Sequence, residues 1–150
     1  MKAATRLALV ALCFTLSGCV GLNVGPTAKL NGPTGDFGDR HGSGYSVGAQ
    51  GEFMLGMFSI TGDAGWTRFS GADFEGTSYD AADGFELAAG GRLLLGPAFA
   101  GAQYGYGTGD LEQSLFRPEV GVHFGPLSVF AQYQVVKKKW WSLGGTFSLF

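Results

Sequence analysis

Three polar side chains interrupt an otherwise apolar stretch between Phe85 and Asp110. They are Glu86, Arg92 and Gln103, a carboxylate, a guanidinium and an amide. Burying a charge among apolar residues is costly unless an opposite charge and hydrogen bonds accompany it. The chemistry that these residues suggest first is therefore charge pairing inside the protein, and the question is which elements place them there.

Period-two alternation of apolar and polar residues recurs along the chain, whereas no segment after residue 22 shows a helical period. The segments LGMF, LGPAF and FGPL each place a glycine between two alternating runs, as a tight hairpin turn requires. Longer segments rich in Gly, Ser, Thr and Asp separate the hairpins. The alternation of short turns and longer loops predicts eight antiparallel strands over residues 22–30, 44–55, 57–69, 84–95, 98–106, 115–124, 127–136 and 140–150.

The two faces of these strands differ in chemistry. One face is apolar and aromatic in strand after strand, while charged residues keep the opposite parity. An apolar outer face and a polar inner face suit a closed sheet in hydrocarbon, where every backbone polar group must be paired. We therefore predict an all-β fold, an eight-stranded antiparallel up-and-down transmembrane β-barrel.

Charges that point into so narrow a barrel must pair with one another. Counting from the turn glycines places Glu52 and Arg92 in one layer near the short turns, and Asp63 nearer mid-height. We predict a packed network that plugs the lumen, formed by Lys29, Glu52, Asp63, Glu86, Arg92, Arg117 and Glu119.

Aromatic residues near both strand ends predict two interfacial girdles. Near the short turns these include Phe58, Phe99 and Phe124. The membrane-interface aromatics that we predict toward the longer loops are Trp66, Tyr104, Tyr106, Trp140 and Trp141.

The first residues predict export. Lys2 and Arg6 precede an apolar segment, residues 7–16, that is too short to span a bilayer, so residues 1–18 are interpreted as a signal peptide. Leu16-Ser17-Gly18-Cys19 resembles the lipobox of bacterial lipoproteins, which implies lipid attachment at Cys19. Residues 19–150 then form the barrel.

From its alternation, its LGPAF-type turns and its aromatic final segment WWSLGGTFSLF, the chain resembles the small outer-membrane β-barrels of the OmpA-domain and OmpX kind. The resemblance covers residues 22–150. It implies a location in the bacterial outer membrane, contact with outer-membrane lipid, and recognition by the outer-membrane insertion machinery. It also implies surface loops that serve envelope integrity or a surface partner.

Two alternatives remain open. The first is a barrel enzyme acting on lipid A or phospholipid, but the spacing of His123 and Ser128 differs from the histidine–serine motif of the lipid A deacylases, and His41 lies in a polar loop. The second is a soluble barrel tethered by Cys19 that binds an apolar ligand. We expect no enzymatic activity, no metal and no cofactor. The net charge of -2 excludes a basic field for nucleic acid.

Overall fold

The protein is a closed antiparallel β-barrel. A computed structural model describes residues 20–149, in which eight strands follow one another around the barrel in chain order and the last strand pairs with the first. This confirms the predicted all-β fold and its eight-stranded antiparallel up-and-down barrel. The predicted signal peptide, Cys19 and Phe150 lie outside the described residues. No helix among residues 20–149 is long and apolar enough to span a membrane.

The barrel strands are generally longer at the loop end than the sequence predicted. Their bounds are β1 Val20–Thr34, β2 His41–Leu55, β3 Phe58–Gly71, β6 Ala82–Leu95, β7 Ala98–Gly107, β8 Gln113–Phe124, β9 Leu127–Gln134 and β10 Lys139–Phe147. Glycine and serine are common in the last residues of the strands at the loop end. The apolar–polar alternation therefore stops before the backbone hydrogen bonds between the strands do.

Three hairpins close one end of the barrel, which we call the turn end. Their glycines, Gly56, Gly96 and Gly125, have φ angles of 64°, 65° and 60°. Residues with a Cβ rarely adopt this left-handed conformation, so glycine fixes the position of each turn and with it the register of the flanking strands.

The opposite end, the loop end, carries local structure that the sequence did not predict. The first loop contains a five-residue helix, α1, Asp36–Arg40. The second contains a two-stranded hairpin, β4 Asp73–Phe74 and β5 Thr77–Ser78, and the third contains a 3-10 helix, Gly109–Leu111. These elements fold over the end of the barrel and position part of its core.

The seam of the barrel lies between β1 and β10. Their register runs from Thr27 opposite Thr146 to Thr34 opposite Lys139. Side chains reinforce the seam from inside, since Ser142 Oγ donates to Asn31 Oδ1 at 2.7 Å and Thr146 Oγ1 donates to Gln50 Oε1 at 3.0 Å.

Candidate functional site: the polar lumen

The barrel has the reverse of the usual distribution of polar and apolar residues. Its outward side chains are large and apolar and remain exposed, for example Leu30, Ile60 and Leu87 at 65%, 59% and 60%. Its inward side chains are largely polar or charged and are buried. The alternation therefore assigned the inward and outward faces of the sheet correctly. Most of the buried charged and polar side chains lie in the lumen, which is the candidate site.

A charged cluster lies in the lumen near the turn end, which we call the floor cluster: Glu52, Arg92 and Glu119. Arg92 donates to Glu119 through Nε at 2.7 Å and through Nη2 at 3.2 Å, and its Nη1 lies 3.3 Å from Glu52 Oε2. All three side chains are at most 4% exposed. One guanidinium thus faces two carboxylates, so with neutral histidine the cluster carries one formal negative charge that no cation among residues 20–149 offsets.

Neutral donors supply part of the stabilisation of those carboxylates. Ser59 Oγ donates to Glu52 Oε1 at 2.6 Å, and Gln132 Nε2 and Gln103 Nε2 donate to Glu119 Oε2 at 2.8 and 3.4 Å. Hydrogen bonds to the ionised form lower the cost of burying a carboxylate. Gln103, one of the three residues that first pointed to charge pairing, therefore serves the floor cluster.

Phe99 covers the floor cluster from inside, with its ring centroid 4.2 Å from the Arg92 guanidinium carbon. The sequence placed Phe99 in an outer aromatic girdle, and that prediction is wrong because the ring is 2% exposed. Space for it comes from Gly121, where an added Cβ would lie 2.4 Å from Phe99 Cζ. An inward aromatic here provides a flat apolar partner for a guanidinium, a cation–π arrangement.

A single ion pair occupies the middle of the lumen. Lys29 Nζ lies 3.0 Å from Asp63 Oδ1 and 2.9 Å from Oδ2, and both side chains are 3% exposed. The Lys29 ammonium also lies 5.9 Å from the centroid of the Phe130 ring. The charges of this pair balance one to one.

A third group lies nearer the loop end. Arg117 Nη2 is 2.6 Å from Glu86 Oε1, and Thr67 Oγ1 donates to Glu86 Oε2 at 2.9 Å. A chain of hydroxyl and amide groups continues to the seam, because Ser46 Oγ lies 2.7 Å from both Thr67 Oγ1 and Asn31 Nδ2. The seven predicted lumenal residues thus form three groups stacked along the barrel axis.

An apolar cluster closes the lumen at the loop end. We call it the apolar cap; its members are Phe37, Phe69, Ala82, Leu111, Leu115 and Trp140, all at most 8% exposed. Phe37 reaches into the barrel mouth from α1 and lies 5.0 Å from the Phe69 ring centroid, with the two rings edge to face. The cap shields the Arg117–Glu86 pair, since the Arg117 guanidinium lies 5.7 Å from the Trp140 ring centroid.

The assignment of Trp140 to the membrane interface is therefore wrong. Trp140 is 1% exposed, whereas its neighbour Trp141 is 50% exposed. Successive residues of a strand point to opposite faces, so two adjacent tryptophans cannot both face outward. Trp140 points inward because the loop residues Phe37 and Leu111 provide an apolar partner there, a contact that no local pattern encodes.

The other predicted interface aromatics point outward. Tyr104 and Tyr106 are 64% and 48% exposed. Two of the outward aromatics at the loop end have acidic partners: Tyr106 Oη donates to Glu112 Oε1 at 2.8 Å, and Trp66 Nε1 donates to Asp83 Oδ2 at 3.1 Å. Each ring therefore combines an apolar body with a hydrogen-bonded polar atom.

His123 lies at the turn end beside the floor cluster. Its Nδ1 is 2.7 Å from Ser128 Oγ, and its Nε2 is 3.8 Å from Glu52 Oε2. A serine, a histidine and a glutamate are thus neighbours, although Ser128 is 4% exposed inside the lumen and Glu52 is already held by Arg92 and Ser59. A nucleophile needs access to its substrate, and this serine has almost none.

Comparison of the chain with protein-family models, with curated proteins and with solved structures gave no match. Among residues 20–149, no three or more His, Cys, Asp and Glu side chains form a group that could hold a metal ion.

Proposed function

We propose that this protein is a non-enzymatic integral β-barrel of the bacterial outer membrane. Its lumen is plugged by paired charges, and its longer loops face the cell surface, where they contribute to envelope integrity or bind a surface partner. The observation that carries the proposal is the reversal of the two faces: a closed barrel with an apolar outer surface around a buried charged interior.

The dimensions of the apolar surface suit a bilayer. In β2 the outward apolar residues run from Tyr45 to Leu55, ten residues apart. At roughly 3.3 Å per residue this is about 33 Å along the strand, or about 25 Å along the axis at a tilt near 40°. Transmembrane barrels carry an apolar band about 25 Å tall.

The outward aromatics support an interface at the loop end. Tyr and Trp are enriched where hydrocarbon meets the headgroups, because one side of the ring is apolar and one atom forms hydrogen bonds. Trp66 and Tyr106 meet both conditions, with their polar atoms bonded to Asp83 and Glu112. Trp141, which is exposed on β10, extends this ring of aromatics to the seam.

The lumen favours a structural barrel over two other classes. A diffusion pore needs an open channel, whereas three charged groups and the apolar cap occupy the lumen along its length. A tethered soluble barrel for an apolar ligand needs an apolar interior, whereas the inward residues are mostly charged, amide or hydroxyl side chains. Lipidation of Cys19 would add an anchor and would leave the polar lumen unchanged.

Gel mobility tests membrane integration directly. Outer-membrane fractions should give a fast-migrating band when left unboiled and a slower band after boiling, because a closed barrel resists detergent unfolding. Cys19→Ala, run in parallel, separates the barrel from a lipid anchor. Loss of membrane association in Cys19→Ala, together with no heat-dependent shift in the unmodified protein, would overturn the proposal in favour of a tethered domain.

The neighbouring His123 and Ser128 favour one alternative, a barrel enzyme that hydrolyses envelope lipid. We expect Ser128→Ala and His123→Ala to leave lipid A and phospholipid profiles of the expressing cells unchanged, since Ser128 is buried in the lumen. Profiles that differ between cells with and without the protein, and that revert in Ser128→Ala, would establish the enzyme instead.

A further inference from the structure

A small cavity opens at the turn end of the barrel and brings together chemistry that the proposed function does not use. Its volume is about 390 Å³, and His123, Met54 and Met57 are among its lining residues, with Asn23 and the turn glycines Gly56 and Gly96. The sequence has three methionines, of which one is Met1. Both internal methionines therefore lie at this cavity, together with one of the two histidines.

The ligand chemistry of this cavity is that of soft metal ions. Thioether sulfur and imidazole nitrogen are ligands that Cu(I) prefers, whereas Mg²⁺ and Ca²⁺ prefer oxygen. Met57, which follows the turn glycine Gly56, is 58% exposed. Its unbranched side chain has several rotatable bonds, so its sulfur can adjust to a bound ion.

His123 is held as a metal-binding histidine usually is. Its Nδ1 lies 2.7 Å from Ser128 Oγ, and its ring packs against Phe99 with the centroids 4.8 Å apart and the planes tilted by 36°, so two neighbours hold its orientation. The other nitrogen, Nε2, is buried and makes no hydrogen bond among the described residues. Ligating histidines commonly bind the metal through one nitrogen while a second group fixes the other.

The electrostatics favour a cation with a single charge. Nε2 of His123 lies 3.8 Å from Glu52, a member of the floor cluster, where Arg92 faces both Glu52 and Glu119. The Lys29–Asp63 and Arg117–Glu86 pairs are balanced. A monovalent cation at His123 would therefore offset the one formal negative charge that remains among the described lumenal residues, and a buried charge without a counter-charge is costly.

The geometry points to a binding site for a soft monovalent cation, Cu(I) or its chemical analogue Ag(I), at the turn-end mouth, with His123, Met54 and Met57 as ligands. The site is independent of membrane integration, since it is built on hairpin residues and on the floor cluster. In the proposed orientation it faces the periplasm.

Silver(I) is the probe of choice because it is stable in air and undergoes no redox cycling. The full chain carries Cys13→Ser and Cys19→Ser, which removes both thiols, and is folded in detergent micelles. Native mass spectrometry should show one Ag(I) per chain. Met54→Leu combined with Met57→Leu should weaken binding at least tenfold, because leucine keeps the volume and removes the sulfur.

Two histidine variants sharpen the test. His123→Asn should weaken Ag(I) binding at least tenfold, whereas His41→Asn, at the other end of the barrel, should leave the affinity unchanged. Heat-modifiable mobility verifies folding of each variant; if His123→Asn fails to fold, the methionine pair decides. Failure to bind Ag(I), or equal affinity after both methionines are replaced, would overturn the site. Zn(II) binding of equal strength that is indifferent to the methionines would overturn its assignment to soft ions.

Discussion

The two ends of the lumen are closed by opposite means. At the turn end, the floor cluster joins Glu52, Arg92 and Glu119 through ion pairs, and every one of its residues comes from a barrel strand. At the loop end, the apolar cap packs side chains from the strands against Phe37 and Leu111, which come from loops.

The two ends should differ in how much of the barrel a substitution destabilises. A buried charge that loses its partner cannot move to water without opening the sheet, so its loss lowers the free energy of unfolding of the whole barrel. A cap that loses a side chain can relax, because the loop that supplies it is free to move toward the gap. The floor cluster should therefore control global stability, and the apolar cap should control local opening of the loop end.

The largest effect is expected from Arg92→Leu. This change leaves Glu52 and Glu119 buried without their shared cation, and breaking such a pair typically costs about 3–5 kcal/mol. The free energy of unfolding in detergent, measured by urea titration of the gel-mobility shift, should fall by about this amount.

Arg68→Leu is the matched control, because Arg68 is an exposed arginine of β3. It should change the free energy of unfolding by less than about 0.5 kcal/mol. Equal stability of Arg92→Leu and the unmodified protein would show that the floor cluster does not hold the barrel together.

A smaller and more local effect is expected from Phe37→Ala. The change removes the ring that joins α1 to Phe69 and Trp140, at a cost near or below about 3 kcal/mol, since the loop can partly fill the space. Limited proteolysis should cut the first loop faster, while the heat-dependent gel shift of the barrel stays the same. A parallel loss of barrel stability would remove the distinction between the two ends.

The smallest effect is a response of the apolar cap to acid. His41 lies on the loop side of Tyr45, beyond the apolar band, and stacks on Phe37 with ring centroids 4.5 Å apart. Burial, the largest cause, lowers the pKa of His41 below its ordinary value despite a contact with the Phe37 carbonyl. Neutral His41 is therefore favoured in the folded protein, at the start of β2.

A histidine whose folded pKa is depressed contributes its full stability above the pKa of the unfolded chain and loses it as the pH falls below about 6.5. Hydrogen exchange in the first loop, corrected for the intrinsic rate, should therefore be faster at pH 5.5 than at pH 7.5. In His41→Phe the difference should vanish, because phenylalanine keeps the stack and does not titrate. The same pH response in both proteins would assign it to another group.

The barrel itself was predictable because its signals are local. Alternation assigns each residue to a face, and a turn glycine fixes where each hairpin reverses. Glu52 and Arg92 stand at the same distance from their turns, and the structure places Arg92 Nη1 3.3 Å from Glu52 Oε2. Which cation pairs with which carboxylate was not predictable. The Arg117–Glu86 and Lys29–Asp63 pairs join strands that are not neighbours in the sheet, and alternation gives only the face of a residue, not its partner across the lumen.

The wrong assignments share a physical cause. Phe99 and Trp140 were expected at the interface because aromatic residues near strand ends usually lie there. Both point inward, where Phe99 covers a guanidinium and Trp140 meets Phe37 of α1. Alternation alone places Trp140 on the face opposite to Trp141. The residue that packs against Trp140 inside the barrel, Phe37, comes from a distant part of the chain.

The seam has a consequence for the order of folding in time. Ser142 and Asn31, which bond across it, are 111 residues apart in sequence, and Thr27 and Gly145 are 118 apart. Contacts so distant in sequence are slow to form, because a long loop must close before they contribute. The barrel cannot close until β10 pairs with β1, so every partly assembled form has two unpaired strand edges.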